Sequence, residues 1–139
     1  MRLVVVVCVL VGLVGAGGTL RGQDKPELMA QVSNGGWLPL VDGGKYGESW
    51  EAASAGLKAA VGKAQWEQAM GANRGPLGKV VTRVLASSAY SKTLPGAPDG
   101  EYVVTLYTTR FEHKESAQET VISVLEKDGK WRVAGYYFK

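Results

Sequence analysis

Glu119 and Tyr136 are the two side chains of this sequence whose types and positions suit acid–base chemistry. Glu119 lies within a stretch rich in Val, Thr and Ile, and the predicted pairing of the last two strands places it near Tyr136. A carboxyl group on a partly apolar surface can acquire a raised pKa and then act as an acid or a base. The commoner arrangement is an ion pair with an arginine such as Arg83 or Arg132. Glu119 and Tyr136 are therefore the catalytic candidates, with a structural ion pair as the alternative.

The single histidine and three aspartates have simpler interpretations. His113 lies in a charged segment between two predicted strands, where an exposed turn residue is expected rather than a general base. Asp42, Asp99 and Asp128 each precede a glycine. Asp-Gly is typical of turns, because Asp tolerates turn geometry and Gly supplies positive φ. None of these four residues is predicted to take part in catalysis.

Arginines and aromatic residues offer two further ways of binding a ligand. Arg74 and Arg83 carry planar guanidinium groups that suit a carboxylate or a phosphate. Ion pairs inside the domain, to Asp42 or Glu119, are the expected role for both arginines. Aromatic side chains could line a pocket for a flat ligand, although at helical spacing they usually belong to a core. The aromatic residues in question are Trp37, Trp50, Trp66, Trp131, Tyr46 and Tyr136.

The sequence predicts no metal, cofactor or nucleic-acid site. Its only cysteine, Cys8, lies in the N-terminal apolar segment, and a single histidine is too few for a structural zinc site. The glycine-rich stretches 12–18 and 34–36 lack the Gly-Lys-Ser/Thr of a phosphate-binding loop. The formal net charge of +3 comes from interspersed charges of both signs, without the basic stripe of a nucleic-acid-binding protein.

The first twenty residues have the pattern of a secretory signal peptide. Arg2 supplies a positive charge, an apolar run covers residues 3–14, and small residues follow. Cleavage is predicted at the end of segment 1–18, and the alternative cut is after Gly22. An uncleaved leader would be a membrane anchor instead, and it is the only membrane contact that the sequence suggests. We therefore expect an exported protein of the periplasm or the extracellular space.

Residues 24–139 are predicted to form one domain, the first half of which is helical. The first helix begins at the start of this range, and a kink or a division into two short helices is expected at 34–36. Apolar residues at helical spacing predict a second helix over 46–57, with Trp50 on its buried face. A third short helix is predicted over 63–73.

After Pro76 the pattern changes from helices to strands. Four segments are rich in residues favoured in strands, and they follow each other closely enough for an antiparallel meander. These segments are 79–91, 101–111, 117–127 and 131–138. The predicted fold class is therefore α+β, with N-terminal helices packed on a curved four-stranded antiparallel sheet.

The dipeptide Asp128-Gly129 predicts a two-residue type I′ turn between the last two strands. The pairs that this turn would set are Glu126 with Trp131, Val124 with Val133, Ile122 with Gly135, Leu125 with Arg132, Ser123 with Ala134 and Val121 with Tyr136. Both faces of this hairpin carry large apolar side chains, whereas a sheet with one face in water alternates more cleanly. Helices can cover one face, so a partner, a curled sheet or a ligand must partly bury the other. A homodimer through that second face is the simplest arrangement.

Short motifs occur along the chain in a specific order. They are Trp37-Leu38, Val41-Asp42, Tyr46, Ser49-Trp50, Gln65-Trp66, Arg74, Leu77-Gly78, Arg83, the segment 94–102, Phe111, Glu119-Thr120, Asp128-Gly129, Trp131-Arg132-Val133 and Gly135-Tyr136. Together they resemble the bacterial family called domain of unknown function 4019, over residues 37–138. The resemblance implies an exported bacterial protein without an assigned activity, and it transfers no catalytic residues. The order of helices and strands resembles the nuclear-transport-factor-2-like, or cystatin-like, α+β cone, which often dimerises through its sheet.

The sequence favours an exported, non-enzymatic binding or interaction domain. Its expected partner is a second copy through the sheet, an unidentified small ligand or an envelope protein. The alternative is a small pocket enzyme of the isomerase or hydratase type, with Glu119 as a buried carboxylate that faces a cavity together with Tyr136.

Overall fold

The computed structural model describes residues 25–139, so the leader and its cleavage after residue 18 or 22 lie outside the described residues. In the described range helices precede a four-stranded antiparallel sheet, which confirms the predicted α+β class. The helices are α1 Lys25–Asp42, α2 Tyr46–Glu51, α3 Ala55–Ala60 and α4 Lys63–Asn73. The strands are β1 Val80–Ser91, β2 Tyr102–Phe111, β3 Lys114–Leu125 and β4 Trp131–Phe138, in the spatial order β1-β2-β3-β4.

Helix α1 is a single helix, so the predicted division into two short helices at 34–36 was wrong. Asn34 is fully buried and connects the helix to two strands: its amide donates to the Tyr107 hydroxyl over 3.3 Å and accepts from the Ser123 hydroxyl over 2.9 Å. Gly35 and Gly36 lie on the exposed side of the same helix. Packing of the buried stripe therefore outweighs the low helix propensity of two adjacent glycines.

The predicted helix over 46–57 is two short helices, α2 and α3, which break at Ser54. The backbone N–H of Ser54 donates to the Val133 carbonyl of β4 over 2.8 Å, and its hydroxyl accepts from the Leu57 N–H over 3.2 Å to cap α3. Trp50 is consequently half-buried rather than part of the core, and its indole N–H donates to the Val61 carbonyl over 2.8 Å. The chain thus turns at Ser54 because β4 binds its backbone.

The pairing of β3 with β4 agrees with the prediction only away from the turn. Val121 pairs with Tyr136 and Ile122 pairs with Gly135, as predicted. The pairs near the turn differ: they are Ser123 with Val133, Val124 with Arg132 and Leu125 with Trp131. A bulge between Ile122 and Ser123 separates the two registers.

The turn itself explains the error in register. The Gly129 N–H donates to the Glu126 carbonyl and the Glu126 N–H donates to the Lys130 carbonyl, both over 2.9 Å. These bonds enclose a three-residue loop in which Gly129 has a φ of 81°, instead of the predicted two-residue turn. One extra loop residue shifts the pairing by one, and the bulge restores it.

The two faces of the sheet have different covers. The inner face packs against the helices in one large core, to which the buried Trp37, Trp66 and Tyr136 belong. The outer face carries a smaller cluster that joins Leu94 to Tyr102 and Ile122. The predicted need to bury the second face is thus met in part by the chain's own loop between β1 and β2, which contributes Leu94.

Candidate functional site

A buried set of polar and charged side chains lies on the inner face, and we call it the carboxylate network. Its members are Asp42, Arg74, Arg83, Thr109, Glu119 and Tyr136. Glu119 and Tyr136 are fully buried, and the tyrosine hydroxyl donates directly to the carboxylate. The structure therefore brings the two predicted candidates together.

Arg83 holds two carboxylates from different parts of the chain. Its Nε and Nη2 donate to the two oxygens of Glu119 over 2.7 and 3.1 Å. Its Nη1 and Nη2 donate to the two oxygens of Asp42 over 2.8 and 2.9 Å. Both contacts are bidentate, the geometry in which a guanidinium binds a carboxylate most strongly. The predicted ion pair of Glu119 with an arginine is thus confirmed for Arg83.

Strand register explains how Arg83 and Glu119 meet. Arg83 on β1 pairs with Thr109 on β2, and Glu119 lies on β3, the next strand across the sheet. The long arginine side chain therefore spans the intervening strand. The Thr109 hydroxyl donates to the same carboxylate oxygen that accepts from the arginine Nε.

The Glu119 carboxylate has no acceptor site left. Its Oε1 accepts from Arg83 Nε and the Thr109 hydroxyl, and its Oε2 accepts from Arg83 Nη2 and the Tyr136 hydroxyl. An ionised carboxylate offers about four lone-pair positions, so these donors fill it. The arrangement can fix the charge in place, but it leaves no oxygen for a substrate or for a proton in transit.

Arg74 completes the charge balance. Its Nη2 donates to the Asp42 carboxylate over 3.2 Å and its Nη1 donates to the Gly78 carbonyl over 2.7 Å. The guanidinium carbon lies 4.5 Å from the centre of the Phe111 ring, a cation–π distance. Two arginines thus face two carboxylates, which confirms the ion pairs to Asp42 and Glu119 that the sequence led us to expect for Arg74 and Arg83.

Burial and neighbouring charges shift two pKa values in this network. Burial raises the pKa of Tyr136 well above its ordinary value, and the adjacent Glu119 carboxylate raises it further. Burial alone would lower the pKa of Arg83, but its hydrogen bonds to Asp42 and Glu119 outweigh that effect and raise it. Tyr136 is consequently a neutral donor and Arg83 a permanent cation at physiological pH.

A cleft of about 810 Å³ lies on the other side of the sheet, and we call it the outer cleft. The strand residues that line it are Tyr102, Ile122, Val124, Leu125, Arg132 and Ala134. Leu94 and segment 96–100 of the β1–β2 loop line it as well, together with segment 54–57 at α3 and segment 125–128 at the β3–β4 turn. Sequence analysis missed this cleft, because only the fold brings the two connections to one face.

Arg132 fixes one wall of the outer cleft. It donates to the Glu126 carboxylate over 2.9 Å and to both oxygens of Asp128 over 3.0 and 2.8 Å. Glu126 also accepts from the Ala55 N–H over 3.1 Å, which joins the turn to α3. The hydrogen bond from Arg132 lowers the pKa of Asp128, with a further contribution from the Lys130 N–H. Arg132 therefore does not pair with Glu119, which was the second possibility considered from the sequence.

A family model described as "Protein of unknown function (DUF4019)" matches residues 33–136. The chain belongs to this family. The resemblance read from the motifs is thus confirmed. No curated protein and no solved structure shows a significant match to the chain.

In this DUF4019 domain the matched range contains both the carboxylate network and the outer cleft.

His113 is exposed in the β2–β3 turn, as predicted. Within residues 25–139, no group of three or more His, Cys, Asp or Glu side chains is arranged to hold a metal ion. In the same range, no helix is both long and apolar enough to cross a membrane.

Proposed function

We propose that this DUF4019 domain is exported and acts as a non-enzymatic binding domain in the periplasm or outside the cell. The proposal rests on the hydrogen bonds of the Glu119 carboxylate. All of its acceptor positions are used by side chains of the domain itself, so the carboxylate stabilises the fold. The outer cleft remains as the place where a ligand has room.

The position of the cleft argues against the pocket enzyme. Side chains alternate between the two faces of a strand, and Glu119 and Val121 point to the inner face while Ile122 points to the outer one. The outer cleft is lined by Ile122 and lies across the sheet from Glu119. An isomerase or hydratase needs its carboxylate at the wall of the substrate cavity.

The N-terminal sequence supports export. A positive charge, an apolar run over residues 3–14 and small residues follow one another as in a signal peptide. The exported protein should therefore begin at Thr19, or at Gln23 if the alternative cut is used. N-terminal sequencing of the exported fraction tests this, and recovery of intact Met1 solely in membranes would contradict it.

A small ligand is the binding mode that the outer face favours over a homodimer. Leu94, Tyr102 and Ile122 bury one another there, so the broad bare apolar patch that motivated a dimer is reduced. Sedimentation at several protein concentrations separates the two modes. A monomer at all concentrations supports the small ligand, whereas a concentration-dependent dimer supports association through the sheet.

Native mass spectrometry of the exported protein tests binding itself. We expect a mass above that of the polypeptide, with the excess lost on denaturation. The Tyr136→Phe variant is the matched control, because it changes the buried network and leaves the outer cleft intact. A folded Tyr136→Phe variant that lacks the excess mass would favour the enzyme, and the bare polypeptide mass in every preparation would overturn the binding function.

A further inference from the structure

The outer cleft has the size and the lining of a site for a small organic molecule. Its volume of about 810 Å³ lies within the range of ligand pockets in proteins, which is roughly 300–1,000 Å³. Leu57, Leu94, Tyr102, Ile122 and Val124 supply most of an apolar surface. The body of a molecule that fits this surface is therefore apolar.

The charged groups that line the cleft are unevenly balanced. Three of them are acidic, Asp99, Glu126 and Asp128, and two are basic, Lys127 and Arg132. Both terminal nitrogens of Arg132 already donate to Glu126 and Asp128, so this guanidinium has little capacity left for an anion. One negative charge is thus in excess.

The two lining charges that have no ion pair within residues 25–139 lie on different connections. Asp99 belongs to the β1–β2 loop, and Lys127 belongs to the β3–β4 turn. On the turn side, Lys127 and Arg132 balance the charges of Glu126 and Asp128. The excess negative charge therefore belongs to Asp99 on the loop side of the cleft, where it is free to contact a positive group.

We propose that the outer cleft binds an organic cation that combines an apolar body with a single positively charged group. The apolar body contacts the strand residues around Ile122 and Ala134, and the positive group faces Asp99. This inference rests on the proposed binding function and names the chemical class of the ligand.

Three eight-carbon compounds that differ only in their head group test the charge requirement: octylammonium, octanol and octanoate. Binding to the exported protein is followed by the amide NMR signals of Tyr102, Ile122 and Ala134. We expect octylammonium to bind most tightly and octanoate most weakly. Octanoate binding as tightly as octylammonium, or no shift of these signals with octylammonium, overturns the proposal.

Two variants locate the contact. Asp99→Asn should weaken octylammonium about 1.4- to fivefold and leave octanol unchanged, because an exposed charge pair contributes about 0.2–1 kcal/mol. Glu115→Gln removes an exposed carboxylate of β3 that does not line the cleft, and it should change neither affinity. Ala134→Phe should fill the cleft and weaken both compounds. Equal weakening of octylammonium by the Asp99 and Glu115 variants would overturn the assignment to Asp99.

Two combinations of results distinguish a failure of the cation class from a failure of the proposed binding function. A bound molecule in native mass spectra, together with no binding of octylammonium, would overturn the cation class while the binding function stands. The bare polypeptide mass in every native spectrum, together with tight octylammonium binding in the cleft, would overturn the cellular binding function and support the chemistry of the site.

Discussion

The inner and outer faces of the same four strands differ in the side chains that they carry and in what covers them. On the inner face, the fully buried Glu119 carboxylate receives a complete set of hydrogen-bond donors from neighbouring side chains. On the outer face, apolar side chains meet a loop, a turn and the start of α3, and a cleft of about 810 Å³ lies among them. The inner face is therefore held by a network of charged and polar groups, whereas the outer face contains open space.

The difference follows from what covers each face. Helix α1 crosses the inner face and brings Asp42 to Arg83, so two charges that are distant in the sequence neutralise each other in a partly buried ion pair. The outer face is covered by the β1–β2 loop, whose Leu94 anchors a small cluster. A loop with one buried anchor covers less of a sheet face than a packed helix does. The part of the outer face that the loop does not cover forms the cleft.

The largest expected effect comes from breaking the inner network. Glu119→Ala should lower the free energy of unfolding by about 3–5 kcal/mol, because it leaves the Arg83 guanidinium without one of its two carboxylates in a buried site. Urea denaturation measures the loss. Glu115→Ala, an exposed carboxylate on the same strand, should stay within about 0.5 kcal/mol of the parent. A loss below about 1 kcal/mol for Glu119→Ala would contradict the role of the network.

The outer face should respond less to truncation of its anchor. Leu94→Ala should cost about 2 kcal/mol, the lower end of the range for buried leucines, because it removes one side of a small cluster. The same urea experiment checks it. Leu28→Ala, a leucine that is 46 % exposed on α1, is the control and should cost much less. A loss for Leu94→Ala as large as for Glu119→Ala would remove the contrast between the faces.

Removing one donor from Glu119 should have a smaller effect that depends on pH. Tyr136→Phe should cost about 1.5 kcal/mol at neutral pH, as expected for a hydrogen bond to a charged group. The folded-state pKa of Tyr136 is raised above the unfolded value of about 10. Its contribution is therefore complete below about pH 10 and is lost as the pH rises through the folded-state value.

Stability curves at alkaline pH check this sign. The parent protein should lose stability above about pH 10 more steeply than Tyr136→Phe does. Identical slopes for the parent and Tyr136→Phe would show that ionisation of Tyr136 is not linked to unfolding.

The smallest effect should come from a change that touches neither face. Gly35→Ala on the exposed side of α1 should raise stability by about 0.5–1 kcal/mol, since an added Cβ meets nothing within 4 Å and alanine favours the helix. Gly78→Ala is the opposite control, because Gly78 has a φ of 77° and an added Cβ would lie 2.9 Å from His113. Thermal unfolding measures both, and a destabilised Gly35→Ala would contradict the helix geometry.

Local patterns in the sequence were enough to predict the four strands and part of the carboxylate network. Runs of β-favouring residues predict all four strands, and the hairpin pairing of Val121 with Tyr136 is correct. The sequence was enough to predict that Glu119 forms an ion pair with an arginine, because a buried carboxylate needs a positive partner. The choice of Arg83 over Arg132 was not predictable, since it depends on which strand lies two places away in the sheet.

What the sequence by itself determined is the order of helices and strands, the family and the identity of the buried carboxylate. The tertiary structure alone decided that α1 runs unbroken through Gly35, that Arg83 binds Asp42 and Glu119 at the same time, and that a loop, a turn and the start of α3 line a cleft. Periodicity and turn residues act over a few positions, so the sequence displays them directly. Asp42 and Arg83 are 41 positions apart, and their contact exists only because a helix packs across a sheet and brings the two side chains together.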